Sequence, residues 1–186
     1  VDDFQPGDLE INAGSLASIS GSITLQASRD IVFEAGGGVV NFRADSLTFQ
    51  AGRDIVVQAT QIVGDGLSFT ADAAFSGRPS DGVGAIRVTG TASILARGTL
   101  TLSAPEGLIG AEMAATDTLT LRALTALNVP DAALSGGLSA TARRGVLTLG
   151  DVQASTLQAR GAGGLAASGA LAIAREAGVV SPGLHG

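Results

Sequence analysis

Ser22-Ile-Thr-Leu-Gln-Ala-Ser-Arg-Asp-Ile-Val-Phe-Glu-Ala35 returns 24 residues later as Ser46-Leu-Thr-Phe-Gln-Ala-Gly-Arg-Asp-Ile-Val-Val-Gln-Ala59, with nine of the fourteen positions identical. A period of this size marks a repeat architecture, in which a unit cannot bury its own apolar face and stacks on copies of itself. Within each copy the residues alternate. Ile23, Leu25 and Ala27 face one way and Ser22, Thr24 and Gln26 the other, the two-residue period of a strand. The alternation breaks at Ser28-Arg29-Asp30 and again at Gly52-Arg53-Asp54, so one coil holds at least two strands meeting at a corner. Neither break has the Asn-Gly type of turn that closes a hairpin. Copies stacked in register therefore pair in parallel.

These features predict an all-β fold, a parallel β-helix (β-solenoid) of about 20–24 residues per coil, running through residues 1–186 as a single unit. A chain of 186 residues supplies about eight or nine such coils, and strands about 4.8 Å apart make a rod on the order of 40 Å long. Strand fragments continue the pattern at Leu67–Thr70, Ser155–Ala159 and Gly169–Ile173. Arg97-Gly-Thr-Leu-Thr-Leu102 and Arg144-Gly-Val-Leu-Thr-Leu149 lie 47 residues apart, near two periods. Thr118-Leu-Thr-Leu-Arg-Ala123 aligns with Ser46–Ala51 at three times the first period, which predicts one continuous register. Pro79 and three glycines in 76–84 forbid a strand, so a protruding loop is expected there. All six Phe residues precede that loop, and a slimmer part lined by Ala and Leu is expected after it. The Ala-rich stretch 165–180 has helical propensity, but its glycines favour further coils.

Composition narrows the function. The formal charge is −6, every one of the eleven cations is Arg, and no basic stripe is visible along the chain, which argues against a nucleic-acid or anionic-membrane partner. Cysteine is absent, so neither a disulfide framework nor a cysteine nucleophile is available. No apolar run reaches the length of a membrane helix, and no signal peptide opens the chain. The start at Val1 reads as an excised part of something longer.

Candidate chemistry is sparse. Arg29-Asp30 and Arg53-Asp54 read as an exposed ladder, with each Arg pairing to a carboxylate of the neighbouring coil, since a catalytic set is not expected to recur at every repeat. Asp2, Asp3 and Asp8 form an acidic cluster without the ligand spacing of a calcium site. His185, the sole histidine, has no second histidine for a zinc or acid/base set. Thr99/Thr101 and Thr118/Thr120 lie among outward positions too varied for a flat threonine array. No catalytic, cofactor-binding or metal-binding residue is assigned, and the chain is not read as an enzyme. A polysaccharide lyase or hydrolase on the same scaffold, and a self-polymerising solenoid, stand as alternatives.

At Ser46–Ile55, with the companion stretch Ser22–Ile31, the chain resembles the filamentous haemagglutinin family of large bacterial exoproteins. The resemblance implies a right-handed parallel β-helix, secreted through an outer-membrane partner to the bacterial surface. It implies the role of an adhesin shaft or toxin stalk that meets a host or neighbouring cell. The chain lacks the Asn-Pro-Asn-Leu motif of the family's secretion domain, so it resembles an interior part of the shaft.

Overall fold

The computed structural model describes residues 9–10, 21–34, 39–58, 60–75 and 79–180. They form twenty strands and no helix. All pairings between strands are parallel, and the strands fall into three ladders. The first ladder holds β2 (Ser22–Ala27), β5 (Ser46–Ala51), β8 (Gly66–Thr70), β11 (Leu100–Ser103), β14 (Leu127–Val129), β17 (Leu147–Leu149) and β19 (Leu165–Ala167). The second holds β1 (Leu9–Glu10), β3 (Ile31–Phe33), β6 (Ile55–Gln58), β9 (Ile86–Thr89), β12 (Leu108–Gly110) and β15 (Ala132–Leu134). The third holds β4 (Val39–Asn41), β7 (Gln61–Gly64), β10 (Ala92–Ala96), β13 (Thr118–Ala123) and β16 (Gly137–Ala142). Two longer strands, β18 (Val152–Gly161) and β20 (Leu171–Val180), bend from the second ladder into the third. From β2 onward the chain visits the ladders in one repeating order, an arrangement compatible with a β-solenoid.

The first copy of the 24-residue repeat stacks on the second as its alternation requires. Ser22 lies against Ser46, Ile23 against Leu47 and Leu25 against Phe49, and one corner later Ile31 lies against Ile55. Leu47, Phe49 and Ile55 are fully buried and Ile23 packs on the core. Like residues also meet on the outside, where the Gln26 amide donates to Gln50 Oε1 at 2.6 Å. Phe33, Phe42, Phe49 and Phe69 fill the interior here, with ring centroids of Phe49 at 5.0, 5.7 and 4.9 Å from the other three. Rings at such distances attract each other beyond the area they bury. After residue 84 the interior passes to Leu, Ile, Val and Ala, with one Met.

One expectation is corrected. β13 aligns by sequence with β5, yet β5 lies in the first ladder and β13 in the third. The cause is uneven spacing. Along the first ladder Leu67 pairs with Leu100 and Leu100 with Leu127, offsets of 33 and 27, so a separation of 72 no longer returns the chain to the same face. The Arg-Gly-x-Leu-Thr-Leu pair does keep its face, because Leu100 and Leu147 both pair with Leu127. Each passage holds three strands, within the expectation of at least two, the third lying on the third ladder. The Ala-rich stretch is strand, in β19 and β20.

Candidate functional site

The charged corners come first, because they bear the strongest sequence pattern. Asp30 ends the turn into β3, and its carboxylate accepts from the backbone N–H of Asp54, one rung on, at 3.1 Å. Asp54 does the same for Ala85 N–H at 2.8 Å. Further along the same corner Asp131 accepts from Asp151 N–H at 2.8 Å, and Asp151 from Ala170 N–H at 2.6 Å. Each aspartate thus ties its corner to the next rung by satisfying an amide that the ladder bonds leave over. This role explains the residue type without catalysis.

Arginines join the first two of these corners. Arg53 grips Asp30 through both Nε, at 2.8 Å, and a terminal nitrogen. Arg87 Nε donates to Asp54 at 2.8 Å and its other arm lies 3.7 Å from Glu106. The ladder of ion pairs across coils is therefore present, but Asp30 is buried and not exposed as expected, because the fork of Arg53 lies over it. Burial raises the Asp30 pKa, and the bonds from Arg53 and Asp54 N–H, with the charges of Arg53 and Arg29, more than reverse this, leaving it below the ordinary 3.8. The Asp54 bond likewise raises the pKa of Arg87, against a smaller effect of burial.

A second carboxylate organises the loop. Asp72, buried and at φ 55°, accepts from the Ser80 hydroxyl and from the backbone N–H of Asp81 at 3.0 Å and Gly82 at 2.8 Å. The Ser80 bond is the chief reason its pKa lies below 3.8, with the two amides adding to it and burial opposing. Residues 79–83 are exposed around this anchor.

The threonines separate. Thr101 stands in the first ladder beside Ser68 and Asn128, whereas Thr120 stands in the third beside Ser93 and Ser139. The Thr99 and Thr125 hydroxyls lie 2.9 Å apart. Asp2, Asp3, Asp8 and His185 lie outside the described residues. Among the described residues no three of His, Cys, Asp and Glu gather where they could hold a metal ion. No helix of the described residues is long and apolar enough to cross a membrane.

One cluster was missed by the sequence reading. Arg122, Arg143, Arg144 and Arg160 line a groove of about 480 Å³ with Leu124, Thr141 and Ala162. The absence of a basic stripe along the chain is thereby corrected in three dimensions, since stacking gathers four of the eleven arginines from three rungs. The available signal was an interval of 19, from Arg122 to Thr141 to Arg160, which stands out only once the late ladder spacing is known.

Comparison with family models, with curated proteins and with solved structures found no match.

Proposed function

We propose that this chain is a shaft segment of a secreted bacterial surface adhesin, a right-handed parallel β-helix whose basic turn is about 20–24 residues and which projects binding or toxin modules from the cell. The observation that carries this reading is the unbroken pairing of the three ladders, in which each inner strand is hydrogen-bonded to neighbours on the rungs before and after it. Force applied along such a stack is shared by many backbone hydrogen bonds. The corner aspartates add side-chain bonds between rungs, and the Phe-filled part gives way to a part lined mainly by Ala and Leu.

The resemblance of Ser46–Ile55 to the filamentous haemagglutinin family supports the surface setting and an outer-membrane secretion partner, with a host or neighbouring cell as the eventual contact. Antibodies raised against the segment test the reading on intact bacteria that express the parent protein. They are expected to label unbroken cells and stiff surface fibres under the electron microscope. Labelling only after permeabilisation would overturn it.

A further inference from the structure

We infer that the groove lined by Arg122, Arg143, Arg144 and Arg160 is a binding site for a compact ligand carrying two or more phosphoryl groups. Register places the arginines. Arg122, Thr141 and Arg160 occupy one outward column on successive rungs of the third ladder. Rungs are about 4.8 Å apart, which sets the backbones of the two arginines roughly 10 Å from each other with a hydroxyl between them. Arg143 and Arg144 follow Thr141 at the corner, where their backbone N–H groups bond to Ala123 O at 3.0 Å and Leu124 O at 2.9 Å. Leu124 and Ala162, on the rungs to either side, complete the lining.

The arginines are poised and unneutralised. Arg53, Arg87 and Arg97 each meet a carboxylate. Among the described residues, Arg122, Arg143, Arg144 and Arg160 form no ion pair and no side-chain hydrogen bond, and all four are exposed. Four like charges around one groove repel each other, in a chain whose net charge is −6. An anion removes that repulsion.

Size and charge select the anion. A groove of about 480 Å³ is in the range of small-ligand sites. A monocarboxylate would offset one of the four charges. A diphosphate or triphosphate group brings several negative charges into a span of under about 10 Å, and its oxygens match the planar two-pronged donors of Arg. The groove lining holds no aromatic ring to stack on a base or a sugar, so recognition falls on the phosphoryl groups.

Such a group could be free in solution or part of a lipid headgroup, and calorimetry on the whole chain separates the two. Inorganic tripolyphosphate is one probe. Phosphatidylcholine vesicles with and without a phosphatidylinositol bisphosphate, whose headgroup carries more than one phosphoryl group, are the other. Saturable binding of tripolyphosphate that weakens steeply between 50 and 500 mM salt is expected for the free ligand, and binding only to the bisphosphate vesicles for the headgroup. Arg122→Gln with Arg160→Gln should weaken either by about tenfold or more per arginine, and Arg143→Gln with Arg144→Gln likewise. Arg43→Gln, an exposed arginine outside the groove, should change nothing. Far-ultraviolet circular dichroism checks that each variant keeps its strands. Absence of binding to both probes would overturn the proposal, as would binding that the folded groove variants leave unchanged. Neither result would touch the shaft reading, which is decided by surface labelling.

Discussion

Phe49 shows at the scale of one residue how the stack is held. Its ring lies against Phe33, Phe42 and Phe69, and the side chain is fully buried. Removing it leaves a cavity in a column whose neighbours are fixed by ladder bonds, so the site cannot collapse around the loss. Phe49→Ala should cost about 3–5 kcal/mol, read as a shifted urea midpoint by circular dichroism, while Thr48→Ala on the outer face stays within about 1 kcal/mol. Asp30 and Asp72 carry a second residue-scale prediction. Both carboxyls lie below 3.8 in the folded chain, so on acidification the unfolded chain takes up protons first. Their contribution is complete above about pH 4 and is lost as pH falls through the folded values. The urea midpoint should therefore drop between pH 5 and pH 3, and the drop should shrink in an Asp30→Asn, Asp72→Asn double variant. An equal drop in that variant would show that other groups govern the acid limb. Gly107 marks a third constraint, a corner at φ +80° where an added Cβ would come within 2.3 Å of Asp131 O.

Between residues and the whole lies the element, where the sequence was partly legible. The echo from Ser22 to Ala59 disclosed parallel stacking, because identical residues at identical spacing also share burial, as Ile31 and Ile55 do and Ala27 and Ala51 do. Farther along, the offsets between paired strands change, and a fixed period then misplaces β13. Such offsets depend on corner lengths, which the alternation inside strands does not encode. The arginine groove was hidden for the same reason, since its residues become neighbours only through the register of β13, β16 and β18. The corner aspartates were half legible, with Asp30 and Asp54 conspicuous in the repeat and Asp131 and Asp151 hidden in dissimilar surroundings. For the 76–84 loop, Asp72 is the element-scale determinant, holding Ser80, Asp81 and Gly82 against the stack. Limited digestion with a protease of broad specificity should cut first within 76–84. Asp72→Ala should speed that cut several-fold with little change in the fragments that follow. Equal rates in both proteins would mean that the loop is held elsewhere.

Over the whole molecule, stability is built from neighbours. Nearly all close approaches join residues far apart in sequence but adjacent in the stack, so each rung depends on the two beside it and on no distant centre. Opening therefore begins where a rung has one neighbour and moves inward. Among the described residues β19 is such a place, since it pairs with β17 on one side, and its Ala166 and Ala167 are exposed. Leu171 in the following strand is 38 % exposed, whereas Leu100 and Leu108 in the middle rungs are at 0 % and 1 %. Hydrogen exchange followed residue by residue should show the amides of β19 and β20 exchanging fastest among the later strands, with protection rising through β17 and β14 to β11 and β12. Leu127→Ala, in the middle of the first ladder, should lower protection on the rungs next to it more than on β5 or β6, because a defect is felt through contacts and not through a shared core. Equal protection across all rungs, lost together in that variant, would mean that the chain unfolds as one cooperative body and that the neighbour-by-neighbour account is wrong.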